Sequence, residues 1–322
     1  MEYRNLGTSG LQVSVLGIGG NVFARNVDQA GTDAVVHKAL DLGVNLIDTS
    51  DTYTQGESEK FLGRALGSRR HEAVIATKAL GPMGEGPNNR QASRQHLTEA
   101  VEGSLRRLNT DYIDLYQMHN WDATTPIEET FSALSDFVRQ GKVRYIGVSN
   151  YKGWQIAHTI GICRANGFTQ PVSNQPEYSL LERGIEADIM PACRNYGLGI
   201  LPFYPLAGGF LTGKYKRGQD RPPDSRGAYF ANNPRAVGRD RVQFVERWEN
   251  ERYWTVLEGL EAFAEKRGHT MAELAVAWVA AQPMVCTVIA GASRPSQVGD
   301  NARATAWKLM AADLEEIDRI AR

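Results

Sequence analysis

The chain has 322 residues, 42% of them hydrophobic and 23% charged, with a net charge of −1. That length exceeds a small domain and falls short of two full ones, whereas single α/β barrels of about 250 residues or more are common. The near-zero charge gives no support to a nucleic-acid or other polyanionic partner. Cys163, Cys193 and Cys286 are scattered and odd in number, which argues against a disulfide framework and for a reducing cytoplasm. No charged-then-apolar leader opens the sequence and no apolar run reaches about 18 residues, so neither export nor a membrane span is expected.

The first residues, EYRNLGTSGLQVS, read as a hairpin: two short runs around a Thr-Ser-Gly turn. Eight strand-like runs follow: VLGIGG (15–20), VNLIDT (44–49), AVIATK (73–78), IDLYQMH (113–119), YIGVSN (145–150), VSNQPEY (172–178), GILPFYPL (199–206) and TVIAGA (287–292). Helical patterns separate most of them. Leu97, Val101, Leu105 and Leu108 form one apolar stripe. Thr125 and Glu128 predict a capping box ahead of Phe131, Leu134, Phe137 and Val138, with Gly141 as the stop. Thr270 and Glu273 predict a second box ahead of Leu274, Ala277, Trp278 and Ala281. Strand–helix alternation repeated eight times predicts a (β/α)8 TIM barrel of one domain over 1–322, with the hairpin plugging its bottom. Residues 214–250 break the alternation. They are polar, rich in arginine and carry Pro222, Pro223 and Pro234, so a long functional loop is expected there.

Polar residues stand where three of these apolar runs emerge from the core. They are Asp48 and Tyr53 in NLIDTSDTY, Lys78 in AVIATKA and His119 in YIDLYQMHN. In such barrels the C-terminal strand ends carry the active site. The four make a proton-transfer set: a phenol, a cation to lower its pKa, a carboxylate to hold the cation, and an imidazole. Singly, each has a plainer reading as a cap, a solvated lysine or a packed histidine; it is their joint placement that predicts an enzyme. His37, His71, His96, His158 and His269 lack metal-ligand spacing and no C-x-x-C pair occurs, so no metal is expected.

From Leu6 to Asn301 the chain resembles the aldo-keto reductase superfamily. The motifs are DTSDTY, TKAL, DLYQMHNWD, GKVRYIGVSNY, NQPEYSLLER, PLAGGFLTGKY and VIAGASRPSQVGDN, in family order. Within the family it is most similar to the bacterial branch that also resembles voltage-gated potassium channel beta subunits. The resemblance implies reversible, NADPH-dependent reduction of an aldehyde or ketone. Tyr53 would be the acid/base, Lys78 the cation that lowers its pKa, Asp48 the residue that holds Lys78, and His119 the group that polarises the carbonyl. The expected partner is a small carbonyl or alcohol, with a homo-oligomer left open.

The same resemblance implies an extended dinucleotide, NADP(H), across the barrel mouth. LGIGGN is not a Rossmann fingerprint. Gly20, Asn21 and Asp48 are among the positions matched to the cofactor, and Ser149, Asn150 and Gln175 would bind the nicotinamide carboxamide. Phe203 stands where the family usually has Tyr or Trp, and Tyr204 where it usually has Ser. Leu206, Gly208, Lys214 and Arg226 would hold the diphosphate, under a covering loop of 214–250. Gly291, Ser293, Arg294, Gln297 and Asn301 match the adenosine end, where Ser293 and Arg294 suit a 2′-phosphate. A second cation that some members carry at the position of Gly291 or Gln297 is absent. Phe23, Leu80, Trp121 and Tyr151 follow strand ends and are the candidate substrate walls. Two competing readings are an NADP(H)-binding regulatory subunit like the channel beta proteins and a metal-dependent barrel hydrolase; the second lacks ligand clusters.

Overall fold

The structure, a computed structural model, describes residues 1–223, 225–232 and 246–321. An antiparallel hairpin comes first, β1 (Tyr3–Asn5) and β2 (Gln12–Ser14), with Tyr3 opposite Ser14 and Asn5 opposite Gln12. Eight parallel strands follow: β3 (Leu16–Gly19), β4 (Leu46–Asp48), β5 (Val74–Ala79), β6 (Ile113–Met118), β7 (Val143–Ser149), β8 (Ser173–Gln175), β9 (Gly199–Ile200) and β10 (Val288–Gly291). They lie side by side in chain order, with β10 beside β3. Parallel bridges Ile200–Val285 and Phe203–Ile289 join the two remaining edges, so the sheet closes into a barrel and leaves no open edge. All eight predicted runs supply a strand. Those at 172–178 and 199–206 shrink to three and two residues, because Pro176, Pro202 and Pro205 have no amide hydrogen for the ladder.

The outer layer holds α1 (Gln29–Asp41), α2 (Glu57–Leu66), α3 (Arg94–Leu108), α4 (Ile127–Arg139), α5 (Gly153–Asn166), α6 (Ile189–Tyr196), α7 (Arg226–Asn232), α8 (Glu251–Lys266), α9 (Met271–Ala281), α10 (Pro295–Ala306) and α11 (Ala311–Ala321). The predicted α3 stripe is buried throughout. In α9 the capping box forms as read: Thr270 Oγ1 accepts from the Glu273 amide at 3.2 Å and Glu273 Oε2 accepts from the Thr270 amide at 2.9 Å. Ala281, expected on the buried face of α9, is exposed at its last turn. The box predicted for α4 does not form. Thr125 Oγ1 donates to Asp122 Oδ2 at 2.6 Å, and Pro126 becomes the cap residue without a side-chain cap bond. None of the described helices is long and apolar enough to cross a membrane.

Alternation along the strands sorts the barrel interior by polarity. At the bottom, Leu6 and Val13 of the hairpin region pack with Leu46, Val74, Ala76, Leu115, Leu201 and Ile289 in a separate apolar cluster. The hairpin is therefore the predicted plug. Gly7 lets it in: at φ +59° its Cα sits where a Cβ would come within 2.6 Å of the Val172 carbonyl oxygen. Two residues further along each strand the inward positions turn polar, with Asp48 above Leu46, Lys78 above Ala76 and Gln117 above Leu115. The top of the barrel thus presents polar side chains that strand geometry holds in place.

The described part of residues 214–250 is tied to the rest of the fold. Within the described part, α7 starts at Arg226, Lys216 pairs with Glu261 at 2.9 Å, Arg217 with Glu258 at 3.0 Å and Arg221 with Glu249 at 2.6 Å. Residues 224 and 233–245, and with them the centre of the expected covering loop, lie outside the described residues.

Candidate active site

Lys78 is wholly buried and Asp48 is 3% exposed. The lysine Nζ donates to both Asp48 oxygens at 2.7 and 2.8 Å, to the Thr49 carbonyl at 2.8 Å and to Tyr53 Oη at 3.4 Å. Gln175 Nε2, from β8, adds a 2.8 Å bond to Asp48 Oδ1. The ammonium is thus fully coordinated by acceptors, the condition for keeping a charge in the interior. Tyr53 reaches it from a tight turn in which Thr54 and Gln55 both have positive φ, 52° and 55°. Such conformations cost free energy in non-glycine residues and persist only where packing imposes them. The Tyr53 and His119 rings meet edge to face at 5.9 Å. The four residues read as a proton-transfer set stand together.

Their protonation follows from burial and neighbours. Burial works against the Lys78 charge, but the Asp48 carboxylate and Tyr53 outweigh it and hold the ammonium above its ordinary range. Burial also pushes the Tyr53 phenol up; Lys78 pulls it down, while Asp48 and Tyr204 push it further up. The net direction is upward, contrary to the expectation that Lys78 brings it below its ordinary value. Exclusion of water penalises the phenolate more than one lysine already shared with a carboxylate can repay. Burial, with Lys78 adding to it, lowers His119 to about 3, so the imidazole is neutral. At rest the site holds a loaded phenol, a fixed cation and a neutral imidazole.

The positions matched to a dinucleotide run round the same mouth. Ser149 Oγ donates to the Gln175 carbonyl at 2.8 Å, and Asn150 Nδ2 donates to Ser149 Oγ at 3.0 Å and to the His119 carbonyl at 3.1 Å. Asn150 is exposed, with φ +59°, so its amide faces the mouth beside the tetrad. Phe203 and Tyr204 contact edge to face at 5.1 Å, and Tyr204 has φ +57°, rare for a bulky residue. Gly20 is wedged so tightly that a Cβ would lie 2.8 Å from the Asp48 carbonyl, with Asn21 next to it. Leu206 and Gly208 lie in the turn after β9, and Lys214 is exposed beyond it. The Arg226 backbone opens α7, but its side chain lies outside the described residues.

At the far end, Gly291 closes β10 with nothing within 4 Å of where a Cβ would be. Gln297 Oε1 accepts from the Ser293 amide at 2.8 Å and from Ser293 Oγ at 3.1 Å, and Asn301 is buried one turn on. Arg294 is exposed at the start of α10, and no ion pair ties its guanidinium to another described residue. Amide groups thus stand at one end of these positions, and open space at Gly291 and an exposed cation at a helix N-terminus at the other.

The candidate substrate walls separate. Phe23 is wholly buried in the core and offers no surface to a ligand. Tyr151 is 1% exposed and lies behind Trp121, ring to ring at 5.2 Å. Trp121 and Leu80 are half-buried. Sequence reading missed Trp154, 58% exposed and 5.4 Å from Trp121, and the ring contact of His158 with Trp121 at 6.2 Å. Their spacing from Tyr151, three and seven residues along a helix start, was the available signal. It also passed over Ser50 and Asp51, which sit inside DTSDTY and are both fully buried. Among the described residues no group of three His, Cys, Asp or Glu could hold a metal ion.

Residues 15–322 match the model of the aldo/keto reductase family. The chain is 38% identical over 309 residues to a probable voltage-gated potassium channel subunit beta of rice, covering 94% of this chain and 91% of that protein. It is 35% identical over 315 residues to the uncharacterized oxidoreductase YrpG of Bacillus subtilis, covering 94% and 91%. It is 33% identical over 316 residues to the L-glyceraldehyde 3-phosphate reductase of Escherichia coli, covering 94% and 87%.

Proposed function

The chain belongs to the aldo/keto reductase family, and from that premise we propose that it is an NADP(H)-dependent oxidoreductase that interconverts small aldehydes or ketones and alcohols. The observation that carries this reading is the buried chain Asp48–Lys78–Tyr53 with the neutral His119 ring beside it. When bound, the dinucleotide supplies the hydride. Tyr53 gives its proton to the carbonyl oxygen. Its phenol is held above the ordinary range, so it is protonated at neutral pH and ready to donate. Lys78 stabilises the phenolate left behind, and Asp48 keeps Lys78 charged and aimed. His119 orients the carbonyl and donates to its developing charge. Ser149, Asn150 and Gln175 would hold the carboxamide, Phe203 the nicotinamide face, and Ser293 and Arg294 the 2′-phosphate. Trp121 and Leu80 remain the proposed substrate walls. Three buried, unpaired cysteines favour a reducing compartment such as the cytoplasm.

The 38% identity to a protein named as a channel beta subunit supports a second reading, a nucleotide-binding regulatory subunit. Steady-state oxidation of NADPH with nitrobenzaldehyde separates the two. The reductase reading expects turnover by the natural chain and a loss of about 10²–10⁴-fold in Tyr53→Phe, with cofactor affinity retained. Cofactor binding without turnover of any carbonyl in a broad panel would favour the regulatory subunit, and full activity in Tyr53→Phe would remove the tyrosine from the chemistry.

A further inference from the structure

We infer that Asp51 and Ser50 set the tautomer of His119, so that a carboxyl buried behind the site decides whether the imidazole offers a proton or a lone pair at the mouth. The inference rests on the reductase reading only for its catalytic consequence. Ser50 Oγ lies 3.2 Å from His119 Nδ1 and 3.1 Å from Asp51 Oδ1, and it accepts from the Thr52 amide at 3.3 Å. Thr52 Oγ1 at 3.0 Å can act as donor or acceptor, and the Lys78 carbonyl is distant at 3.5 Å. Both Ser50 and Asp51 are inaccessible to water, and Asp51 Oδ2 has no hydrogen-bond partner.

With the Thr52 hydroxyl proton turned away from Ser50, proton counting leaves two arrangements. A serine hydroxyl has one proton and two lone pairs, and the Thr52 amide takes one lone pair in either case. When Asp51 is ionised it can only accept, so the Ser50 proton points to it. The remaining Ser50 lone pair then faces His119, which must present Nδ1–H and leaves Nε2 bare. When Asp51 is protonated it donates to Ser50, Ser50 donates to Nδ1, and the imidazole proton sits on Nε2. Conversion of the second state to the first passes the Asp51 proton to Ser50 and the Ser50 proton to Nδ1, while the Nε2 proton leaves at the mouth. One proton is lost in all, and it is lost where substrate would bind. Only the state with protonated Asp51 lets His119 donate from Nε2 to a carbonyl oxygen.

The surroundings make both states accessible. Burial first, and then the Glu59 charge, push Asp51 up to about 7, against the Ser50 bond, the Arg107 charge and the Thr52 amide. Glu59 on α2 is itself fixed by Arg107 of α3 at 2.7 Å and by Thr77 of β5 at 2.6 Å. Tyr116 of β6 brings a hydroxyl that also lacks a partner. On the other side of the relay, Lys78 faces His119 and keeps the ring neutral, so the choice is between two neutral tautomers. The Tyr53 phenol titrates above its ordinary range and does not compete in the neutral window. Asp51 and Ser50 are thus positioning residues that act through His119.

Ring ¹⁵N shifts of histidine in the full-length chain report the tautomer directly, with the His119 signals assigned by their loss in His119→Gln. Between about pH 6 and about pH 9 the natural chain should pass from Nε2–H to Nδ1–H. Asp51→Asn, whose amide can donate to Ser50 at every pH, should hold Nε2–H throughout. Ser50→Ala should leave a tautomer that no longer changes with pH. In parallel, kcat/KM for carbonyl reduction should fall about tenfold per pH unit above the midpoint, and Asp51→Asn should lack that fall. An unchanged tautomer across the range in the natural chain, or the same transition in Asp51→Asn, overturns the inference. Absence of carbonyl turnover would instead refute the reductase reading, and the ¹⁵N shifts would still decide this one.

Discussion

Replacing Lys78 by methionine keeps the length of the side chain and removes its charge. The ammonium it replaces lies 2.7 and 2.8 Å from the two Asp48 oxygens. At that separation the attraction is about 6 kcal/mol for an effective dielectric constant of about 20, and desolvation of both ions offsets part of it. Asp48 would be left with the Gln175 amide, a neutral donor, in a site only 3% exposed. Losing one partner of a buried pair costs about 3–5 kcal/mol, because the other charge stays behind uncompensated. Lys78→Met should therefore lose about that much unfolding free energy, and Asp48→Asn a similar amount. The double variant Asp48→Asn/Lys78→Met buries no charge at this point. It should be about 2–3 kcal/mol more stable than the sum of the single losses predicts. Urea unfolding followed by tryptophan fluorescence gives the four free energies of the cycle. Additivity within about 0.5 kcal/mol would refute the coupled buried pair. All three variants should also lose carbonyl turnover, since none keeps a held cation beside the phenolate that forms when Tyr53 gives up its proton.

Arg294→Ala should weaken NADPH binding about ten- to more than a hundredfold and NADH binding far less, because charge-assisted bonds of about 1.5–3 kcal/mol are made only to the 2′-phosphate. Fluorescence titration with each cofactor checks this, and an unchanged affinity ratio removes Arg294 from the site. Leu6→Ala should cost about 2–5 kcal/mol, since Leu6 is wholly buried under the barrel and its loss opens a cavity; the urea midpoint reports it. Thr270→Ala should cost about 1 kcal/mol through loss of the α9 cap, by the same measurement. Asp51 binds its proton more tightly folded, at about 7, than unfolded, so its contribution to stability is present at low pH and is lost as pH rises towards 7. Asp51→Asn should flatten that decline in unfolding free energy, and an identical pH dependence in both chains would contradict the burial argument.

Much of this protein was legible in its sequence because the signals are local. A run such as AVIATK declares a buried strand by composition, and its period of two puts Ala76 and Lys78 on the same inward face. The place where such a run turns polar then marks the mouth of the barrel, so Asp48, Lys78 and His119 could be named from strand ends alone. The Thr270–Glu273 box was equally local and formed, whereas Thr125 found Asp122 three residues back as a competing partner. What the tertiary structure alone decided involves contacts between distant segments, or the exclusion of water. Ser50 and His119 meet across 69 residues of chain, and only closure of β4 beside β5 and β6 brings them to 3.2 Å. The fate of Phe23 as core and not pocket wall, and the joining of Trp154 to Trp121, depend on loop paths that strand periodicity does not encode. The upward direction of the Tyr53 shift has the same origin: Lys78 can be read from the sequence, but the burial that outweighs it belongs to the assembled barrel.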